Sequence, residues 1–89
     1  MIKRSEKVAQ YLLPIKIEKQ VDGFLAKCTV WEDCYAQGNS IDEAVLEITA
    51  VAQSLIELYK EKRLKIPLKL SHKEDVANLP LTLPIITAV

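Results

Sequence analysis

The fold of this chain is decided by one stretch, residues 38–67, which reads GNSIDEAVLEITAVAQSLIELYKEKRLKIP. Ser40 and Glu43 form a capping box, because the Ser40 hydroxyl can accept from the Glu43 amide while the Glu43 carboxylate reaches back to the Ser40 amide. Apolar side chains then recur at spacings of three and four over roughly five turns. They are Ile41, Ala44, Val45, Ile48, Ala52, Leu55 and Tyr59. This stretch predicts one long helix, about residues 40–64, whose apolar stripe packs inward.

The residues before the helix alternate between apolar and polar, which is typical of strands. In Tyr11–Lys19, one side carries Leu13, Ile15 and Ile17, and the other side, which is predicted to be partly solvated, carries Leu12, Pro14, Lys16 and Glu18. Asp22 and Gly23 then suit a hairpin turn, because both tolerate a positive φ. A first strand and a tight antiparallel return are therefore predicted.

Two more strands are predicted before the helix. Phe24–Trp31 alternates, with Cys28 on the inward face and Trp31 on the outward one. Cys34–Gln37 has room for a brief third strand before Gly38 and Asn39 turn the chain.

Beyond the helix, Ser71–Asn78 is polar and predicts a loop, and Leu79–Val89 predicts a fourth strand. Pro80 and Pro84 indicate that this strand lies at a sheet edge, is irregular or pairs only in part, because proline cannot donate to a ladder. The expected fold is α+β: a three-stranded antiparallel meander, one long helix and a fourth strand. We expect a single domain over residues 1–89, in which residues 1–9 are flexible.

The composition excludes several classes of protein. The chain has 89 residues, with 12 basic against 12 acidic side chains and 49% hydrophobic residues. A chain of this size is too small for a large multi-substrate enzyme, and it lacks the basic excess of proteins that bind nucleic acid. Its apolar runs are far shorter than the roughly 20 residues of a membrane span. We expect a cytoplasmic protein with no membrane contact and no direct contact with nucleic acid.

The chemistry-bearing side chains do not form a catalytic pattern. His72, the only histidine, lies in a polar stretch without a positioned nucleophile. Cys28 and Cys34 are six positions apart, which does not fit a structural zinc site, so both are predicted to be reduced core residues. Most carboxylates are explained by the helix start or a solvated helix face. No catalytic, cofactor-binding or metal-binding residue is therefore predicted.

Trp31 is the unusual residue, because a large aromatic is predicted on the outward face of a strand, directly before Glu32 and Asp33. Such a residue is often only sheet surface, but tryptophan is also among the strongest anchors of protein interfaces. Its acidic neighbours suit a basic partner. The predicted partner-binding residues are Tyr11, Leu12, Trp31, Glu32 and Asp33. On this interpretation, truncating Trp31 weakens binding and leaves the melting temperature nearly unchanged.

Several short motifs resemble the HicB antitoxin family. Their residues are Gly23, Phe24 and Ala26 after the first turn, Cys34, Gln37 and Gly38 around the third strand, and Ser40, Glu43 and Ala44 at the helix start. The chain departs from the family where Thr29–Asp33 replaces a proline-rich bend, and it ends at Val89 without the DNA-binding domain that many members carry. The resemblance implies a partial RNase H-like fold.

The resemblance also implies a function. Members of the family look like antitoxins that bind a small HicA-like toxin, an mRNA interferase, and cover its catalytic histidine without performing catalysis themselves. One alternative is a stand-alone oligomeric adaptor or ligand-binding protein. A third, a magnesium-dependent nuclease, would need strand-end carboxylates, for which Asp22, Glu32 and Asp33 are the candidates.

The chain is also expected to associate with itself, as a dimer or tetramer. Its apolar residues exceed what one helix on one sheet can hide. The surplus comprises Leu12, Leu25, Trp31, Val51, Ile56, Leu58 and the tail from Leu79 to Val89.

Overall fold

The computed structural model describes residues 8–70 and 82–88. The elements in chain order are β1 (Val8–Gln20), β2 (Gly23–Cys28), β3 (Tyr35–Gly38), α1 (Ile41–Glu61), β4 (Lys69–Leu70) and β5 (Thr82–Ala88). The predicted α+β order of three strands, one helix and a further strand is confirmed, and the two-residue β4 is an addition to it. The predicted Ser71–Asn78 loop with His72, and the Leu79–Leu81 start of the last strand, lie outside the described residues.

The first strand is longer than its alternation predicts. It begins at Val8, where Cα pairing with β5 joins Val8 to Ala88 and Ala9 to Thr87. Val8 and Ala9, the last two of the residues expected to be flexible, thus lie in this strand, whereas residues 1–7 lie outside the described part, and the flexibility of residues 1–9 stays a prediction. The partner strand that orders this end comes from the far end of the sequence, so no local pattern signals it.

β1 is the centre of the sheet. Its second half pairs antiparallel with β2, from Ile15 opposite Cys28 to Gln20 opposite Gly23. β2 pairs in turn with β3. Its first half pairs antiparallel with β5. Tyr11 and Leu12 also pair with β4, so β4 and β5 lie on opposite edges of β1. Among the described strands β5 pairs with β1 alone, as its proline Pro84 predicts for an edge strand.

α1 begins at the predicted capping box, but one of the two hydrogen bonds of the box comes from a different amide than predicted. The Glu43 amide donates to the Ser40 hydroxyl at 3.1 Å, as predicted, but the Glu43 carboxylate accepts from the Asn39 amide and not from that of Ser40. At the other end the Lys62 amide donates to the Leu58 carbonyl at 3.0 Å. Across residues 8–70 and 82–88, no helix combines the length and apolar character needed to cross a lipid bilayer.

The core lies between α1 and one face of the sheet. From the helix it takes Ala44, Ile48, Ala52 and Ile56, which are fully buried. From the sheet and its loops it takes Leu13, Ile15, Ala26, Cys28, Trp31, Cys34, Ala36 and Ile85. The helix thus covers the meander and reaches β5 as well.

Two helix positions differ from the predicted stripe. Ile41 was expected inward but is 49% exposed, because it begins the helix one turn before the first buried residue, Ala44. Ile56 was counted in the apolar surplus but is buried, since it continues the row of four-residue steps through Ala44, Ile48 and Ala52. The buried face is therefore wider towards the helix C-terminus than the predicted stripe.

Replacing Gly38 with alanine is expected to lower the free energy of unfolding by about 1–3 kcal/mol, as overpacking does. A Cβ at Gly38 would lie 2.8 Å from the Glu43 carbonyl carbon and 2.9 Å from the Ala44 Cα, closer than a real Cβ approaches backbone. Urea unfolding measures the loss. The matched control is Ala36→Gly, which removes a Cβ from the same strand. An unchanged urea midpoint of unfolding for Gly38→Ala would show that the start of α1 can move away from β3 without cost.

Candidate partner-binding surface

The loop after β2 is tied to its surroundings by backbone hydrogen bonds. The Cys28 amide donates to the Cys34 carbonyl at 2.9 Å, which closes the loop between β2 and β3. Inside the loop the Cys34 amide donates to the Trp31 carbonyl at 3.0 Å. The Thr29 amide donates to the Pro14 carbonyl at 3.0 Å, which fixes the loop start to β1. These bonds give residues 29–34 a defined place beside β1.

Trp31 lies in the core, so its predicted outward position is wrong. The side chain is only 4% exposed, and its Nε1 donates to the Tyr59 hydroxyl at 3.2 Å. The two rings meet edge to face, with centroids 4.9 Å apart. The prediction failed because β2 ends at Cys28, so the alternation of a strand does not continue to Trp31.

The acidic pair beside Trp31 stays on the surface. Glu32 and Asp33 are both exposed. The Tyr59 hydroxyl, which accepts from Trp31, donates in turn to the Asp33 carboxylate at 3.4 Å. The buried ring of Trp31 therefore holds the loop that displays these two carboxylates.

A largely apolar groove of about 320 Å³ lies beside β1, between the part of β1 that pairs with β4 and the part that pairs with β2. Its walls are Leu12, Pro14, Thr29, Val30, Pro67 and Lys69. Pro14 directly precedes Ile15, the first residue of β1 that pairs with β2, so its missing N–H is not required in the β1–β2 ladder. Val30 is 54% exposed and is the apolar side chain that the loop offers to solvent.

The groove brings together parts of the predicted surface but not all of its residues. Leu12 lines it, although this side chain is buried and not partly solvated as predicted. Tyr11 is partly buried against the core, and Trp31 takes no part. Sequence reasoning missed Thr29, Val30, Pro67 and Lys69. The one signal in the sequence was the neighbouring pair of large apolar side chains, Val30 and Trp31. One of the two faces solvent, and which one depends on where β2 ends.

The two cysteine side chains are free and buried, as predicted for core residues. Burial raises the pKa of the Cys34 thiol to about 12, with a smaller contribution from the neighbouring Cys28. Burial also raises the pKa of the Cys28 thiol. Both groups are therefore protonated near neutral pH, which makes them poor nucleophiles and poor metal ligands.

The candidate nuclease carboxylates do not meet in one place. Asp22 precedes β2 in the hairpin turn, and Glu32 and Asp33 follow the other end of that strand. Six residues of β2 at about 3.3 Å each separate the two ends by roughly 20 Å. In residues 8–70 and 82–88, no three His, Cys, Asp or Glu side chains are grouped so that they could hold a metal ion.

Comparison with known proteins gives a relative that matches most of the chain. The chain is similar to the UPF0150 protein ssr1765 of Synechocystis sp., with 30% identity over 74 residues. The similarity covers 82% of this chain and 87% of the relative. No family model and no solved structure matches the chain. Because the identity extends over most of both chains, the chain belongs to the UPF0150 family.

Proposed function

We propose that this chain is a non-catalytic protein-binding module that acts as a HicB-type antitoxin and neutralises a small mRNA-interferase toxin by binding it. The observation that carries the proposal is the apolar groove whose wall includes Thr29 and Val30, since the same 29–33 loop also exposes Glu32 and Asp33. A loop that offers both an apolar cleft and carboxylates suits a small basic protein that itself binds RNA, through both burial and charge complementarity.

The motifs that resemble HicB antitoxins support the proposal through the roles they have in this fold. Gly23, the first residue of β2 directly after the hairpin turn at Val21 and Asp22, has a φ of 147°. Ser40 caps α1, and Ala26, Cys34 and Ala44 are buried. These residues build the scaffold. We expect the contacts that select a toxin to come from other positions, among which the 29–33 loop is the part that departs from the family pattern.

The proposal predicts that a small basic protein is encoded next to this chain, and co-expression with that protein tests it. Relief of the growth arrest caused by that protein, together with a stable complex of the two purified chains, is the expected result. Growth arrest that this chain fails to relieve contradicts the proposal. Magnesium-dependent cleavage of RNA by this chain alone would instead favour the nuclease.

The Val30→Lys variant is expected to weaken toxin binding at least tenfold, because it places a charge of the same sign as the toxin at the mouth of the apolar groove. Val30 is half-exposed, so the fold tolerates the change. Val21→Lys is the matched control, since Val21 is fully exposed in the β1–β2 turn. Isothermal titration calorimetry compares the two, and equal loss of affinity in both would place the toxin elsewhere.

Glu32 provides a separate test of the charge argument. Replacing it with lysine is expected to slow association and to reduce its dependence on salt. Glu32 is the better choice because the Asp33 carboxylate also accepts from Tyr59.

A further inference from the structure

Two buried thiols lie at the base of the loop that joins β2 to β3. Cys28 ends β2, and Cys34 comes directly before β3. The β2–β3 register pairs Lys27 with Tyr35, so the next pair along the strands is Cys28 opposite Cys34. The Cys28 amide donates to the Cys34 carbonyl at 2.9 Å, so the two residues lie side by side. Both side chains belong to the same core cluster and therefore share one face of the sheet.

The backbone spacing suits a bond between the two sulfurs. Residues opposite each other in a hydrogen-bonded antiparallel pair have Cα atoms about 5.5 Å apart, and disulfides join Cα atoms about 4.4–6.8 Å apart. The Cβ atoms of a disulfide lie about 3.8 Å apart, closer than the roughly 4.5–5.5 Å of an ordinary cross-strand pair. Cys34 can make up this difference because it lies outside β3, and its own amide donates within the loop, to the Trp31 carbonyl. A small movement of the loop is therefore enough to close the bond.

A cleft of about 380 Å³ gives both thiols a route to solvent. Cys28 and Cys34 both line it, although their side chains are only 7% and 1% exposed. Its walls also include Lys27, Glu32 and Tyr35, which are exposed. The cleft is distinct from the apolar groove, with which it shares Thr29 alone. A small polar oxidant can therefore approach the two sulfurs without unfolding the chain.

We propose that Cys28 and Cys34 form a redox-sensitive dithiol, which hydrogen peroxide closes to an intramolecular disulfide at the base of the 29–33 loop. The Cys28 thiolate attacks one peroxide oxygen, the O–O bond breaks, and the leaving hydroxide takes up the thiol proton as water, which leaves a sulfenic acid on Cys28. The Cys34 sulfur then attacks the Cys28 sulfur, the S–O bond breaks, and the hydroxide leaves with the Cys34 proton as a second water. Two thiols are thus oxidised to one disulfide, and one peroxide is reduced to two waters.

The surroundings of the two sulfurs favour Cys28 as the attacking thiol. Burial raises the pKa of both thiols, to about 12 for Cys34. For Cys28, backbone hydrogen bonds from Val30 and Trp31 oppose the rise in pKa. Since the thiolate is the nucleophile, Cys28 reacts first and Cys34 resolves the sulfenic acid. Both thiols are mainly protonated near neutral pH, so the reaction is slow and needs peroxide in excess.

The disulfide acts on the loop between the two cysteines. This loop exposes Val30, Glu32 and Asp33 and buries Trp31. A covalent bond joins its two ends more tightly than the hydrogen bond from the Cys28 amide does, so oxidation restrains the residues of the proposed partner-binding surface. The dithiol goes beyond the proposed function, since the bond forms in this chain alone and its test needs no toxin.

Mass spectrometry of the full chain, first reduced and then exposed to hydrogen peroxide, tests the dithiol. The expected product is a single chain that has lost two hydrogen atoms, takes up no alkylating reagent after unfolding, and returns to the starting mass with dithiothreitol. The fluorescence of Trp31, the only tryptophan, should fall at the same rate, because a disulfide three residues away quenches an indole. Free thiols after the exposure, a sulfinic acid in place of the disulfide, or a disulfide between two chains overturns the proposal.

Substitutions separate the roles of the two thiols. Cys34→Ala leaves the attacking thiol without its partner, so the sulfenic acid should persist and be captured by dimedone. Cys28→Ala should slow the reaction with peroxide at least tenfold. The variant that carries both substitutions is the matched control and should show no change in fluorescence. Circular dichroism confirms that each variant keeps its helix, and the unmodified chain decides the proposal even where a variant fails to fold.

Discussion

Replacing Trp31 with alanine is expected to lower the free energy of unfolding by about 3–5 kcal/mol. The indole is almost fully buried between the sheet loop and α1, so truncation leaves a large cavity. It also removes the edge-to-face contact with Tyr59 and leaves the Tyr59 hydroxyl without its donor. A domain of this size has a total stability of only about 5–13 kcal/mol, so the loss is a large share of it.

Chemical denaturation followed by circular dichroism measures this loss. Tyr35→Ala is the matched control, since Tyr35 is a large aromatic one strand away that is mostly exposed, and it should cost about 1 kcal/mol or less. Tyr59→Phe keeps the ring contact and removes only the hydroxyl, for an expected cost of about 0.5–1.5 kcal/mol. A loss below about 1 kcal/mol for Trp31→Ala would contradict the core position of the indole.

The large cost changes how Trp31 can be used to study binding. The sequence-based expectation was an unchanged melting temperature with weaker partner binding. Burial of Trp31 makes the first part wrong, because each kcal/mol shifts the melting temperature of a small domain by roughly 4–8 °C. Whether Trp31 contacts a partner remains a prediction. Glu32 and Val30 are the better probes because they are exposed.

The local patterns of the sequence predict the elements well because each strand and the helix has one solvated side. The alternation around Leu13 and Ile15 and the four-residue steps through Ala44, Ile48 and Ala52 both come from a boundary between core and water. The Ser40 cap depends only on residues within one helical turn. Such features need no knowledge of the rest of the fold.

Sequence reasoning fails where a side chain's environment is set by distant residues. Trp31 lies three residues past the end of β2. Its inward position depends on residues far along the chain, such as Tyr59, which is 28 positions away. The groove combines residues of β1, the 29–33 loop and the segment after α1, which no local period links. Ile56 is buried because the helix covers a wide sheet, whose edge strand β5 comes from the chain end.

The fold also explains why the motif residues say little about binding. Gly38 was assigned to a turn, but its lack of a side chain also serves close contact between β3 and the start of α1. Residues shared with the HicB pattern thus keep the helix on the sheet. The surface proposed for a toxin is lined mostly by other residues, such as Thr29, Val30 and Pro67.

Replacing Ile48 with alanine is the second large effect, with an expected loss of about 2–5 kcal/mol in the free energy of unfolding. Ile48 is fully buried at the middle of the helix face that covers the sheet, so three deleted heavy atoms leave a cavity that packed neighbours fill only in part. Ile41→Ala is the matched control, the same substitution in the same helix at a half-exposed side chain, and should cost below about 0.5 kcal/mol. Urea titration of both variants gives the comparison, provided that the free energy of unfolding falls with urea at the same slope in each. Equal losses, or a larger loss at Ile41, would mean that the helix presents a different face to the sheet.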